Sequence, residues 1–147
     1  MTIEEKQAEI VEEFELFDDW LQKYDYLIEM GKSLPTIEEA YKTEDHLIKG
    51  CQSQVWLNAA FNGGKLDFRA DSDAIITKGI ISLLIRVLSD EKPQDIVGAD
   101  LHFIDEIGLK DHLSPTRANG LLSMVKQMKY YALAYQSKQA WCCLTKN

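Results

Sequence analysis

Several motifs that mark common enzyme classes are absent from this sequence. It contains no G-x-x-x-x-G-K-[ST] phosphate loop, no G-x-G-x-x-G dinucleotide fingerprint, no H-E-x-x-H zinc helix and no C-x-x-C pair. Phosphate cradles, dinucleotide folds and tight zinc sites therefore have no support in the sequence. Carboxylates are plentiful, but they fall mostly on predicted helix faces, so no catalytic pair of acids stands out.

Positive charge is also scarce. The chain has 16 Lys and Arg residues against 24 Asp and Glu residues, which gives a formal net charge of −8. This balance argues against a nucleic-acid or anionic-membrane partner. Residues 1–45 hold 14 acids and 4 bases, whereas no acid follows Asp111. Solvated helix faces explain such acidity, and the alternative is a negative surface that steers a basic partner.

Long apolar runs and export signals are missing as well. The longest central apolar run, residues 79–85, lies between Lys78 and Arg86 and falls far short of the roughly 20 residues that span a bilayer. The first residues lack a cationic stretch followed by an apolar one. We therefore expect no membrane segment and a cytoplasmic location, where cysteines are reduced thiols rather than disulfides.

The hydrophobic periodicity predicts one α+β domain. Helical spacing favours helices at 3–17, from Asp18 or Asp19 to Gly31, at 74–88 and from Ser114-Pro115 onward, with short helical turns at 93–97 and 103–109. The expected caps of the four long helices are Thr2 with Glu5 in a capping box, Asp18 or Asp19, Asp71-Ser72-Asp73, and Ser114. Alternating apolar residues on both sides of Asn62-Gly63-Gly64 predict a β-hairpin. The pattern places one domain in residues 1–135 and a flexible tail in residues 136–147.

Cys51 stands apart chemically. It follows Gly50, which frees the backbone, and precedes the polar run Gln52-Ser53-Gln54, ahead of a predicted strand. The polar run offers amide and hydroxyl groups that can solvate a thiolate, and Lys49 supplies the nearest fixed positive charge. Thiolate fraction and access control the nucleophilicity of sulfur, so this loop is a candidate reactive site.

Local chemistry leaves other interpretations of this thiol open. Most free cysteines are small buried apolar residues. A hydrolase nucleophile needs a base, and we expect the three histidines, His46, His102 and His112, to lie on the surface or at caps. A metal site needs about four soft ligands, and only the adjacent pair Cys142-Cys143 in the predicted tail could join Cys51.

The heptapeptide Gly50–Trp56, read as G-C-Q-S-Q-V-W, resembles the signature of the SufE/CsdE family of sulfur acceptors. Further motifs are similar to the family and occur in its order over roughly residues 10–135. They are Leu34-Pro35, Asp71-Ser72-Asp73, Lys78-Gly79, Pro93–Ile96, His112–Arg117 and Gly120-Leu121. The pair Cys142-Cys143 matches no family feature.

The resemblance implies an α+β fold like that of the IscU scaffold proteins, with helices packed around a small three-stranded antiparallel sheet. It also implies an activity. A SufS/CsdA-like cysteine desulfurase holds sulfur as a persulfide, and the carrier's cysteine accepts the outer sulfur. Turnover of the desulfurase then speeds up, and the sulfur passes to an iron–sulfur scaffold.

Carried over by motif, Cys51 is the persulfide acceptor, and Gly50, Gln52, Ser53 and Gln54 form its loop. Asp73 and Arg117 fall in family motifs and are expected to position the loop or meet the partner. A helix cap is an equally good interpretation of Asp73, and a structural ion pair is the alternative for Arg117.

The same resemblance implies no metal and no resident cofactor, because the pyridoxal phosphate belongs to the desulfurase, and no self-contained turnover. Two other classes stay open: an IscU-like iron–sulfur scaffold, and a purely regulatory activator that would not need the thiol. The pair Cys142-Cys143 could relay sulfur or form a vicinal disulfide, but we expect it to be incidental.

Overall fold

The computed structural model describes the backbone of residues 1–145 and the side chains of residues 1–138. The elements in chain order are α1 (Ile3–Glu15), α2 (Trp20–Lys32), β1 (Val55–Asn62), β2 (Lys65–Ser72), α3 (Ile75–Leu88), α4 (Pro93–Val97), α5 (Phe103–Glu106) and α6 (Pro115–Thr145). Single 3-10 turns occur at Glu39–Tyr41, Glu44–His46 and Lys110–His112. The predicted tail, residues 136–147, lies mostly outside the described side chains and stays a prediction, as does any role of Cys142 and Cys143.

Short polar side chains cap three of the long helices at the predicted positions. In α1, Thr2 and Glu5 form a capping box in which each side chain accepts a hydrogen bond from the other's backbone N–H. Asp19 caps α2 by accepting from the N–H of Gln22 at 2.9 Å. Ser114 accepts from the N–H of Arg117 at 3.2 Å. Such caps satisfy N–H groups that have no partner inside the helix.

The predicted hairpin is confirmed. Strands β1 and β2 are antiparallel, with a register that runs from Val55 opposite Ser72 to Asn62 opposite Lys65. The turn uses Gly63 and Gly64, whose φ angles of 60° and 84° suit glycine in a two-residue hairpin. Alternate side chains on one face of the hairpin are buried in the core.

The expectation of a three-stranded sheet is wrong for the described residues, in which the sheet has two strands. Each outer edge instead meets isolated bridges: Thr36 beside Ala70, Leu47 beside Trp56 and Glu91 beside Leu66. Near the first bridge, the N–H of Ala70 bonds to the carbonyl of Pro35 at 3.0 Å. The N–H of Ile37 donates back to the carbonyl of Ala70 at 3.1 Å, but Pro35 has no N–H with which to extend the pairing on its side.

Two tyrosines of α6 complete the free edge of β1. The Tyr131 hydroxyl donates to the carbonyl of Leu57 at 3.1 Å, and the Tyr135 hydroxyl donates to the carbonyl of Ala59 at 3.3 Å. The next outward carbonyl, that of Val55, accepts from the N–H of Ile48 at 2.8 Å. The edge that would otherwise offer unpaired groups is therefore covered without a third strand.

Helix α3 is the centre of the core, as its apolar sequence predicts. Most of its 14 residues are buried, and it packs against α1, α2, β2 and α6. Its closest contact is with α2, where Gly79 lies against the backbone of Leu27. The first turn of α3 and the first two turns of α6 meet near the loop that carries Cys51.

Candidate functional site around Cys51

Cys51 lies on a short loop that precedes β1. The loop turns at Gly50, whose φ of +92° is in the left-handed region that disfavours residues with a Cβ. The thiol folds back over α6, and Sγ donates to the carbonyl of Gly120 at 3.6 Å. Cys51 is therefore half-buried at rest, rather than displayed at the tip of the loop.

The surroundings of Cys51 favour the thiol over the thiolate. Burial raises the pKa of the Cys51 thiol above its ordinary value, because a charged sulfur loses solvation there. A carbonyl can accept a hydrogen bond from S–H but cannot donate one to S⁻. We expected the polar run after Cys51 to solvate a thiolate, but the described contact of Sγ is with Gly120 instead.

The loop is fixed at its C-terminal end by the segment that leads into α3. The N–H of Gln54 donates to Oδ1 of Asp73 at 3.0 Å, and the N–H of Asp73 donates back to the carbonyl of Gln54 at 3.3 Å. The Ser72 hydroxyl adds a third bond to the same carbonyl at 2.8 Å. The structure thus places Asp73 directly on the predicted Cys51 loop.

The helix-cap interpretation of Asp71-Ser72-Asp73 is not what the structure describes. The N-cap of α3 is Ala74, which has no side-chain cap. The Ser72 hydroxyl accepts from the N–H of Ala74 at 3.2 Å, while the carboxylate of Asp73 is turned toward the loop. Asp73 lies one residue before the N-cap of α3, and its Oδ1 accepts from the N–H of Gln54 in the loop.

A cavity of about 330 Å³ opens beside the thiol. Its walls come from the loop, from the start of α3 and from the start of α6. The lining residues are Cys51, Gln52, Ser53, Thr77, Ile80, Ser114, Thr116, Arg117, Gly120 and Met124. Among the predicted loop residues, Gln52 and Ser53 therefore line the cavity with Cys51, whereas Gln54 anchors the loop.

Arg117 is the cationic residue at this cavity. It is exposed, and within the described part of the chain its guanidinium is in no ion pair, so the ion-pair alternative has no support there. Lys49, expected to be the nearest positive charge, instead lines a separate hollow with Ser123 and Lys126. The charge that faces the space beside the thiol comes from α6.

The sequence interpretation did not assign Thr77 to the site, and it named Gly120 only as part of a family motif. A glycine inside a helical pattern indicates a close approach, and a Cβ built at Gly120 would lie 3.4 Å from Cys51 Sγ. Thr77 gave a weaker signal, as a β-branched hydroxyl residue in the first turn of an otherwise apolar helix. Its position beside the loop depends on tertiary packing that no local pattern encodes.

The three histidines are partly or fully exposed, in keeping with the expected surface or cap positions, and they lie away from the cavity. His46 is bonded to Thr43, His102 is paired with Glu4, and His112 stacks on Trp20 with ring centroids 3.9 Å apart. None lines the cavity beside Cys51.

Across the residues whose side chains are described, no group of three or more His, Cys, Asp or Glu could hold a metal ion. None of the described helices has the length and hydropathy of a membrane span.

Fold and site together define a small α+β protein with one half-buried loop thiol beside a cavity. A family model described as SufE, an Fe–S metabolism associated domain, matches residues 8–132. This chain belongs to the SufE family. It therefore has a role in Fe–S metabolism, as the sequence motifs implied.

Known relatives agree with this assignment. An uncharacterized SufE-like protein of Rhizobium meliloti is 37% identical over 82% of this chain and 90% of its own length. One from Synechocystis is 36% identical over 95% of this chain and 88% of its own length. SufE-like protein 1, chloroplastic/mitochondrial, of Arabidopsis thaliana is 37% identical over 90% of this chain and 36% of that longer protein.

The fold is similar to a solved structure as well. The solution structure of a hypothetical protein from Thermus thermophilus matches with a TM-score of 0.75, over 90% of this chain and 96% of the other. At 21% sequence identity, this likeness concerns the fold alone. It agrees with a mixed α+β architecture built on an antiparallel sheet.

Proposed function

We propose that this protein is a sulfur carrier in which Cys51 accepts the outer sulfur of a persulfide held by a cysteine desulfurase. The carrier then delivers this sulfur to an iron–sulfur assembly scaffold. The observation that carries the proposal is the half-buried loop thiol beside a cavity that no histidine lines. Membership of the SufE family supports it, because that family works with desulfurases in Fe–S metabolism.

Sulfur transfer of this kind suits a thiol that has no catalytic base. The Cys51 thiolate attacks the outer sulfur of the partner's persulfide, and a new S–S bond forms as the partner's own S–S bond breaks. The electron pair of the broken bond leaves on the partner's cysteine, which takes up a proton equal to the one that Cys51 gave up. The exchange therefore involves no net oxidation or reduction, and it needs no oxyanion hole.

The resting geometry requires a change before transfer. Burial and the Gly120 carbonyl hold Cys51 as a protonated, sheltered thiol, whereas attack needs an accessible thiolate. We propose that docking of the desulfurase draws the loop away from α6. The anchored end at Gln54 and Asp73 would stay in place, while the chain swings from Gly50.

The remaining predicted residues have roles that follow from their positions. Gln52 and Ser53 move with the thiol, and Arg117 meets the partner, since it is exposed at the rim of the cavity. The pyridoxal phosphate stays with the desulfurase, and we assign this chain no resident cofactor or metal. We place the exchange in a reducing cytoplasm, which keeps the acceptor thiol free.

Mass spectrometry after incubation with a cysteine desulfurase and L-cysteine tests the transfer. We expect one added sulfur on the Cys51 peptide of the wild type and none on the same peptide of Cys51→Ser. The matched control is a Cys142→Ser, Cys143→Ser double variant, which should still load Cys51. Finding no sulfur on the Cys51 peptide of the wild type would refute the proposal.

Desulfurase turnover separates a carrier from a purely regulatory activator. A carrier relieves the desulfurase of its persulfide, so Cys51→Ser should lose most of the stimulation that the wild type gives. A regulatory protein acts through docking alone and would not need the thiol. Full stimulation by Cys51→Ser, with binding unchanged, would favour regulation.

A further inference from the structure

Thr77 places a buried hydroxyl at the cavity beside Cys51. The residue is 4% exposed and belongs to the first turn of α3, where its side chain lines the cavity. Within the described residues its hydroxyl makes no hydrogen bond, whereas Ser82 on the same helix donates to the carbonyl of Met30 at 3.0 Å. Among the described residues, the Thr77 oxygen is not one of the fully enclosed polar atoms without a partner, so it is reached from the cavity.

Because the Thr77 oxygen is reached from the cavity, water or a bound group in the cavity can accept a hydrogen bond from it. The other buried residues that line the cavity are Ile80, Gly120 and Met124, and none of these has a side-chain donor. Thr77 is therefore the buried side-chain donor of this space. The other polar lining groups lie nearer its rim and are in contact with solvent.

The free thiol of Cys51 does not bond to Thr77. Cys51 Sγ donates to the carbonyl of Gly120 on α6, and no hydrogen bond joins Sγ to Thr77 in the described structure. A persulfide adds a second sulfur about 2.05 Å beyond Sγ. The cavity of about 330 Å³ has room for that atom, and Thr77 lines the same cavity.

We propose that Thr77 binds the outer sulfur of the Cys51 persulfide by donating a hydrogen bond to it. This inference rests on the proposed carrier function and deepens it. The persulfide anion accepts hydrogen bonds, so a donor in a sheltered cavity stabilises the anion over its protonated form. Thr77 is a binding residue for the loaded state, and the unloaded thiol does not depend on it.

A test that bypasses the desulfurase keeps the two proposals separate. In the Cys142→Ser, Cys143→Ser background, Cys51 is converted to an aryl mixed disulfide. Hydrosulfide then displaces the aryl thiolate and leaves one new S–S bond on Cys51. The rate of alkylation by iodoacetamide is measured against pH for the persulfide and, separately, for the free thiol. The variants are Thr77→Val, which removes the hydroxyl at constant shape, and Thr77→Ser, which keeps it.

The expected result is selective. Loss of a hydrogen bond to a charged acceptor should raise the apparent pKa of the persulfide in Thr77→Val by about one unit, so alkylation below that pKa slows about tenfold. The free thiol should be unchanged, and Thr77→Ser should behave like the wild type. Ser82→Ala, which removes a buried hydroxyl from the same helix outside the cavity, should leave both profiles unchanged.

Several outcomes would overturn the inference. They are an unchanged persulfide profile in Thr77→Val, an equal change in the thiol and persulfide profiles, or a Thr77→Ser variant that behaves like Thr77→Val. Circular dichroism and urea denaturation confirm folding, and Thr77→Ala replaces Thr77→Val if the latter does not fold. If chemical loading shows the Thr77 effect but a desulfurase never loads wild-type Cys51, the carrier function fails while the sulfur-binding role of Thr77 stands.

Discussion

Gly79 in α3 and Gly120 in α6 are both glycines inside helices at close contacts, but the contacts differ in kind. A Cβ at Gly79 would lie 2.4 Å from the carbonyl oxygen of Leu27 in α2. A Cβ at Gly120 would lie 3.4 Å from Cys51 Sγ. The first glycine lets two core helices approach, and the second leaves space against a thiol on a loop. We infer that one glycine serves the fold and the other serves the site.

Substitution of Gly79 by alanine should have the largest effect. A heavy atom 2.4 Å from a backbone oxygen cannot be accommodated unless α2 and α3 separate. Overpacking against a backbone oxygen at this distance falls at the upper end of the usual range, about 3 kcal/mol, and the better helix propensity of alanine returns only about 1 kcal/mol. We expect a loss of roughly 2 kcal/mol in the free energy of unfolding, measured by urea denaturation.

A matched control for this variant is Gly98→Ala. Gly98 ends α4, and a Cβ there would meet the Gln94 carbonyl at an ordinary 3.5 Å. We expect a change within about 0.5 kcal/mol, as for most exposed positions. If Gly79→Ala were no less stable than Gly98→Ala, the α2–α3 contact would not be the constraint that we describe.

Substitution of Gly50 by alanine should have the second largest effect, and it changes the Cys51 loop rather than the helix core. A φ of +92° is strained for a residue with a Cβ, at about 1–2 kcal/mol. The new atom would also lie 2.5 Å from Ser123 Oγ. We expect a loss of about 1–2 kcal/mol in stability and faster alkylation of Cys51, because the loop shifts from α6.

A second substitution separates the two causes in Gly50→Ala. Ser123→Ala removes the hydroxyl that the new Cβ would meet, but it leaves the backbone strain. Part of the stability loss should therefore return in the double variant. A Gly50→Ala protein with native stability and native Cys51 alkylation would show that the left-handed turn does not hold the thiol in place.

Local signals were enough to predict the helix caps and the hairpin. Thr2, Asp19 and Ser114 cap their helices as predicted, because a cap depends on a few neighbouring residues. The alternation around Gly63 and Gly64 predicted the hairpin for the same reason. The predicted third strand was wrong, since single bridges and the hydroxyls of two α6 tyrosines cover the sheet edges. Those contacts join residues far apart in sequence.

The site was predictable in part. The Gly50–Gln54 segment indicated a reactive loop because residue type and backbone freedom are local properties. The shelter over Cys51 was not predictable, since it depends on α6 about 70 residues later, where Gly120 accepts from Sγ. For that reason the sequence suggested a solvated thiolate, whereas burial raises the pKa of the thiol. Thr77 was missed for the same reason.

The pH dependence of Cys51 alkylation tests how strongly α6 shelters the thiol. Because burial raises the pKa of this thiol, its alkylation midpoint in the native protein should lie above the value of about 8.5 for an unperturbed cysteine. In urea the midpoint should fall to that value. Folding favours the neutral thiol, so its contribution to stability is full below the unfolded pKa and is lost as pH rises through the folded pKa. A native midpoint at or below the unfolded one would contradict the shelter that α6 gives to Cys51.

Substitution of Gly120 by alanine should have the smallest effect on stability and should reverse the pattern of Gly79→Ala. The added methyl would meet Cys51 Sγ at an ordinary van der Waals distance of 3.4 Å, and alanine raises helix propensity by up to about 1 kcal/mol. We expect stability to stay the same or to increase slightly, while the methyl covers the sulfur and slows Cys51 alkylation. Gly79→Ala should instead lower stability and leave alkylation of the folded protein unchanged. If Gly120→Ala destabilised the protein as much as Gly79→Ala does, both glycines would serve the core, and the division between fold and site would be wrong.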